Sequence, residues 1–255
     1  MNSNQLIGAD SDFDESAYEQ AVIDQLNKQI EQGLVTFSDP NFEHCKVEGQ
    51  DSQLDNFIFS KATSRNRIFI AALVSPSGQR KTVVIKPSTN TSVSKELIIR
   101  QSIPEITTFT LVGYSKQGVD SIMITELMNV IPLSKLEINI KEGLYKAISL
   151  VVSQLVNIHS RNFIHGDAKL KNFAVDINNS RIIPHDFEDS LFTTNDRAKQ
   201  DELLNILTEF TVHFGLKAEN SEHSEVLAYI DKLRQDIYSL YYIDVIRKYR
   251  TALVL

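Results

Sequence analysis

Cysteine is nearly absent from this chain. Cys45 is the single one among 255 residues, which excludes an internal disulfide framework and a cysteine-based zinc cluster within one chain. The expected compartment is therefore reducing, hence cytoplasmic. Long apolar runs are missing too, and none approaches the length needed to cross a bilayer. Residues 1–14 are polar and acidic, unlike a secretory signal, and read as disordered. Positive charge is scarce: 26 basic against 33 acidic residues give a net charge of −7. That balance argues against a nucleic-acid surface spread over the whole protein. Two short basic clusters, Arg65 with Arg67 and Arg247-Lys248-Arg250, read as solvated faces. There is no internal repeat, no low-complexity linker and no G-x-S-x-G hydrolase signature.

What is present supports a real core. With 42% hydrophobic and 23% charged residues, the chain fits one two-lobed domain or two small ones. Tyr18, Val22, Leu26 and Ile30 recur every four residues, which predicts a helix over 15–32, ended near Gly33. Its stripe is expected to cover the rest of the chain; the sharper alternative is a regulatory or partner-binding helix. Residues 36–55 read as irregular. Strands are predicted at 57–60, 67–74 and 82–86, the last ended by Pro87. A short helix at 92–102 follows, then strands at 109–114 and 121–125. From Lys141 on, helix dominates. Leu144, Ala147, Ile148, Val151, Val152, Leu155 and Ile158 are spaced three and four apart, as in an amphipathic helix with a buried stripe.

The most informative stretch follows that helix. It runs His165-Gly166-Asp167-Ala168-Lys169-Leu170-Lys171-Asn172, then two short predicted strands around a turn at 178–180, then His185-Asp186-Phe187-Glu188. An acid sits in a loop, an amide follows five residues later, and a second acid ends a strand. Phosphoryl transfer from ATP needs this set: a carboxylate to take the proton of the attacking hydroxyl, and an amide and a second carboxylate to hold magnesium on the phosphates. The competing chemistry is a metal pair on His165, Asp167, His185 and Asp186, as in His-Asp phosphohydrolases. Those place their ligands on helices, whereas Arg181-Ile182-Ile183-Pro184 is strand-like.

Asp167, Lys169 and Asn172 match the H-R-D-L-K-x-x-N pattern in register, and Asp186-Phe187 matches D-F-G. The segment thereby resembles the catalytic loop and metal-binding turn of the protein-kinase-like superfamily. The resemblance covers roughly residues 55–215. It implies a two-lobed α+β fold with a small five-stranded antiparallel N-lobe over 55–128 and a reduced helical C-lobe over 129–255, after an N-terminal extension over 1–54. It also implies roles. Asp167 is the expected base, and Lys169 neutralises charge on the transferred group. Asn172 and Asp186 hold magnesium, and His165 braces the loop. Val83-Val84-Ile85-Lys86 resembles the strand whose lysine contacts the ATP phosphates. Glu96 is the expected glutamate partner of Lys86 once nucleotide is bound, with Glu105 in reserve and a pair with Arg100 as the ordinary alternative for Glu96. The backbone around Glu126 to Met128 resembles the hinge that receives adenine.

Three departures shape the expected function. No glycine-rich loop lies between Phe57 and Val74; Lys61 to Arg67 stand there, leaving Thr63, Ser64 or the arginines to meet phosphate. Gly166 replaces the arginine that pairs with a phosphorylated activation loop. Glu188 replaces the D-F-G glycine, as in choline kinases and some aminoglycoside phosphotransferase relatives, either as an ordinary variant or as an extra metal or substrate contact. The connection over 189–200 is short and lacks A-P-E; Asp201-Glu202-Leu203-Leu204 after it resembles the acidic helix start of small phosphotransferases. The expected activity is magnesium-dependent transfer from ATP to a hydroxyl, on a small molecule or on one specific protein. Small-molecule or lipid-sugar kinases and the small kinase of the threonylcarbamoyl-adenosine tRNA modification complex are the enzyme models. A pseudokinase acting as a nucleotide- or partner-binding module is the alternative.

Overall fold

The computed structural model describes residues 15–49, 68–103, 109–117, 121–138, 141–176, 179 and 181–239. The strand expected at 57–60, the phosphate-facing loop at 61–67 and Glu105 lie outside the described residues.

Helix α1 (Glu15–Glu31) forms where the four-residue recurrence predicts it. Val22, Ile23, Leu26 and Ile30 share one face and are buried with Val47, Leu73 and Ile85 of the sheet described next. Gly33, at φ 67°, closes the helix: its N–H reaches the Ile30 carbonyl and the Leu34 N–H reaches Gln29. That pair of bonds is a Schellman ending, and it needs the left-handed residue glycine supplies. The apolar stripe is therefore taken up within the chain.

The sheet is antiparallel throughout. Its strands are β1 (Val35–Phe37), β2 (Lys46–Gly49), β3 (Phe69–Val74), β4 (Arg80–Ser88), β5 (Leu111–Ser115) and β6 (Ser121–Glu126), in the order β1-β5-β6-β4-β3-β2. Five strands are predicted from sequence; six pair among the described residues. Four of the six are predicted ones; the other two, β1 and β2, lie almost wholly in the segment expected to be irregular and are the edges among the described residues. Each is three or four residues long, too short for alternation to stand out. Tertiary pairing decides them: Val35 to Phe37 lie against Ser115 to Gly113, and Lys46 to Gly49 against Val74 to Ala71.

β4 also outruns its expected end at Pro87. The β3 ladder stops at the Phe69–Ile85 pair, while β6 continues opposite Pro87 and Ser88. Among the described residues only β6 pairs with that end of β4, and proline is tolerated where one neighbour is missing. Helix α2 (Asn90–Ser102) follows, its N-terminus capped by Thr89 Oγ1 accepting from Ser92 N–H at 3.2 Å.

After β7 (Ile131–Pro132) the chain is mostly helical, with α3 (Lys141–Ser160), α4 (Asp196–His213) and α5 (Ser221–Ser239). The α3 stripe is buried with Leu203, Ile206, Leu207 and Phe210 of α4 and Val226, Ile230 and Leu233 of α5. Between α3 and α4 lie β8 (Phe163–Ile164), β9 (Phe173–Asp176), β10 (Arg181–Pro184) and β11 (Leu191–Phe192). β9 and β10 form the expected hairpin, with Phe173 opposite Pro184. That register brings Asn172 and His185 together at the open end of the hairpin, and Asp186 follows directly. α4 begins at Asp196 rather than after Gln200, because the Asn195 side chain caps the amides of Arg197 and Ala198. Among the described residues no helix is long and apolar enough to cross a membrane.

Leu26 is fully buried between α1 and the sheet. Leu26→Ala should cost about 2–5 kcal/mol of stability, the usual range for a leucine emptied from a packed core. Urea unfolding measures this, and a change below about 0.5 kcal/mol would show that α1 is not part of the folding unit.

Candidate functional site

A cavity of about 330 Å³ gathers Lys86, Glu96, Glu126, Asn172 and Asp186, whereas Asp167 and Lys169 line a neighbouring cleft with Glu202 and Glu209. The sheet contributes Val84, Lys86, Met123, Thr125 and Glu126; α2 contributes Glu96 and Arg100; the hairpin contributes Asn172, Ala174, His185 and Asp186, with Glu188 just beyond. Met128 does not line it. Glu126 does, but its N–H is bonded to the Thr110 carbonyl at 2.8 Å and its carboxylate lies 3.6 Å from Lys81. The Glu126 amide is thus already spent inside the sheet.

Lys86 reaches from β4 to the hairpin end. Its Nζ lies 2.5 Å from Asp186 Oδ1 and 3.1 Å from Glu188 Oε1. Burial works against the ammonium charge, yet the two carboxylates outweigh it and hold the Lys86 pKa above its ordinary value. For Asp186 burial likewise opposes the charge, and Lys86 with a hydrogen bond from Glu188 overcomes it, holding the carboxyl down at about 2. Glu188 moves the other way, raised by burial and by its bond to Asp186. At neutral pH Asp186 is therefore ionised. Its backbone sits at φ 66°, ψ 59°, left-handed and costly for a residue with a side chain.

The expected Lys86–Glu96 pair is not formed in this structure. Glu96 Oε1 accepts from Arg100 Nη2 at 2.8 Å and Oε2 from the Phe187 N–H at 3.2 Å. Arg100 also donates to the Phe109 carbonyl. The Arg100 partnership of the alternative reading is thus observed, but in the interior rather than at the surface, since Glu96 is buried.

On the loop, Asp167 is held at both oxygens. Lys169 Nζ lies 2.5 Å from Oδ1, and Asn172 Nδ2 donates to Oδ2 at 3.0 Å and to the Asp167 carbonyl at 2.8 Å. Lys169 itself is half exposed. His165 is fully buried and donates from Nε2 to the His185 carbonyl at 3.0 Å, which ties the loop to the hairpin end. His185 N–H returns to the Asn172 carbonyl at 3.0 Å. Burial pushes His185 down to about 4, so its imidazole is neutral. Among the described residues no group of three or more His, Cys, Asp or Glu is arranged to hold a metal, and the pair of His-Asp motifs forms no such cluster.

Sequence reasoning singled out the acids at the start of α4 without separating them. Asp201 faces Arg197 at 3.0 Å on the surface. Glu202 is buried and accepts from His165 N–H at 3.1 Å, Gly166 N–H at 2.7 Å and His159 Nε2 at 2.8 Å. Glu209, seven residues on and on the same face of the helix, accepts from Leu170 N–H at 3.1 Å. Two acids at that spacing beside an apolar stripe were the available signal. Burial raises the Glu202 pKa, but the His159 bond and the loop amides outweigh it and hold the carboxyl below its ordinary range.

No protein-family model and no curated protein sequence matches this chain.

Gly166 has a steric requirement that its resemblance to an arginine position does not suggest. Its φ is +85°, and a Cβ there would stand 2.1 Å from the Asp189 carbonyl oxygen. Gly166→Ala should destabilise the protein by about 3 kcal/mol or more, a backbone effect of the large class. A melting temperature within one degree of wild type would refute the close approach.

His159 gives a pH dependence. Burial lowers its folded-state pKa below the ordinary 6.5, so the unfolded chain binds the extra proton first. Its contribution is intact above pH 6.5 and is lost as pH falls below that value, by up to about 1.4 kcal/mol per pH unit. Glu188 and Glu209 are raised and act in the opposite direction at lower pH. The check is therefore a comparison: His159→Gln should show a shallower loss of stability between pH 7 and 5 than wild type. Parallel curves would count against a neutral buried His159.

Proposed function

We propose that the chain is a magnesium-dependent ATP phosphotransferase of kinase-like two-lobed arrangement, acting on a hydroxyl acceptor. One observation carries the reading. Lys86 of the sheet, Asn172 and Asp186 of the hairpin end line one cavity, and Asn172 is tied directly to Asp167. These residues come from three separate stretches of sequence, and each matches the chemistry phosphoryl transfer needs.

The donor set suits a hard dication. Asp186 is ionised beside the cavity, and Glu188 adds further carboxylate oxygens next to it. Asn172 turns its NH2 to Asp167, which leaves its amide oxygen as a ligand. Magnesium is held by one or two protein oxygens plus phosphate and water rather than by an all-protein cage, so the lack of a three-residue cluster among the described residues fits it. When bound, the ion neutralises charge on the phosphate oxygens.

The chain's own residues supply the rest. Asp167, oriented by Asn172 and Lys169, takes the proton of the acceptor hydroxyl. Lys169 is exposed enough to leave Asp167 for the transferred group. Lys86 meets the nucleotide phosphates from the sheet side. The segment between the Phe187–Asp189 turn and α4 spans only residues 190–195, which leaves little platform for docking a free peptide. The acceptor is accordingly a small hydroxyl compound or one specific protein with its own docking surface. A nucleotide-binding pseudokinase is the second reading, favoured by Glu96 being engaged with Arg100 instead of Lys86.

Titration with ATP and magnesium tests this. Asp186→Ala should abolish the strengthening of ATP binding by magnesium in calorimetry. Asp167→Ala should keep ATP affinity and lose roughly 10²–10⁴ in turnover, the scale of a positioned base. ATP binding without any turnover in wild type would select the pseudokinase, and no ATP binding at all would sink both.

A further inference from the structure

We infer that Glu188, not Glu96, is the carboxylate that positions Lys86 for the nucleotide phosphates. The assignment rests on the phosphotransfer reading and gives Glu188 a role other than the metal or substrate contact considered from sequence. Both oxygens of Glu96 are committed, one to Arg100 and one to the Phe187 amide. Those bonds make Glu96 a tie between α2 and the turn after the hairpin. Glu188 has the opposite set of partners. Its Oε1 lies 3.1 Å from Lys86 Nζ, its Oε2 accepts from Ser92 Oγ at 3.3 Å, and its carbonyl accepts from Lys95 Nζ at 2.8 Å.

Those contacts fix Glu188 between β4 and the first turns of α2. Asp186 is nearer to Lys86, at 2.5 Å, but it is also the residue expected to turn to a cation. Glu188 is anchored by Ser92 and Lys95 and can remain on Lys86 when Asp186 is engaged elsewhere. A glycine, as in D-F-G, could not do this. The acidic side chain at that position and the diversion of Glu96 are then one arrangement: the holding carboxylate has moved from the helix to the turn. Glu188 acts on nucleotide through Lys86, so it is a positioning residue.

A double-mutant cycle decides the point. Magnesium–ATP affinity is measured by calorimetry for wild type, Lys86→Met, Glu188→Gln and the double variant, and again with Glu96→Gln in place of Glu188→Gln. Circular dichroism and melting curves establish folding, and Glu188→Asp, which keeps the charge but shortens the reach, supplies a second cycle. Glu188→Gln is expected to weaken binding roughly tenfold, and the double variant to bind no more weakly than Lys86→Met within about twofold, a coupling typical of residues in direct contact. A merely structural role would lower melting temperature without that coupling. Independent, multiplicative effects of Lys86→Met and Glu188→Gln would overturn the assignment, as would coupling found between Lys86 and Glu96 instead. Wild-type binding of ATP with uncoupled effects removes this assignment alone. Failure of wild type to bind ATP removes the phosphotransfer reading and this assignment with it.

Discussion

The buried carboxylate of Glu202 is the constraint on which the site depends. It accepts two successive loop amides and the His159 ring from a buried position. A charge in the interior is costly unless its lone pairs are met by donors. Three donors meet it here, and they come from α3 and from the loop that follows α3. The loop carrying Asp167 is therefore fastened to α4 by its backbone, independently of the side chains at its tip. Glu209 repeats the device two turns later at Leu170.

A second set of bonds fastens the loop to the hairpin. His165 donates to the His185 carbonyl, His185 N–H returns to the Asn172 carbonyl, and Phe187 packs its ring 4.8 Å from His165. Asp186 is the residue these contacts trap. Its left-handed backbone is of the strained kind that persists only where surroundings over-determine it. Glu96 holds the next amide, at Phe187, so the strain is balanced by a buried bond on its far side.

The electrostatics follow from this framework. Lys86 is placed by the sheet, Asp186 and Glu188 by the turn, and α2 spans them through Ser92, Lys95 and Glu96. Burial opposes the charge on both carboxylates; Lys86 and Glu188 overcome it at Asp186, whereas Glu188 stays raised. The ionised Asp186 stands beside the cavity that Asn172 also lines.

Local pattern was enough for much of this. The stripes of α1 and α3, four of the central strands, the hairpin around 178–180 and the grouping of Lys86, Asp167, Asn172 and Asp186 were all legible, because apolar period and motif spacing are properties of neighbouring residues. The edge strands β1 and β2 were not, since three or four residues carry too little period and only pairing with β5 and β3 defines them. Nor could the continuation of β4 through Pro87 be read, because it depends on pairing with β6. The carboxylates divided least predictably. Asp201 and Glu202 are adjacent and chemically alike, and Glu96 and Glu188 are both plausible partners for one lysine. By itself the sequence determined which ionisable groups exist and roughly which elements carry them. Which carboxylate is buried, and which donor it meets, was decided by tertiary structure, because burial and hydrogen bonding depend on packing between segments far apart in the chain.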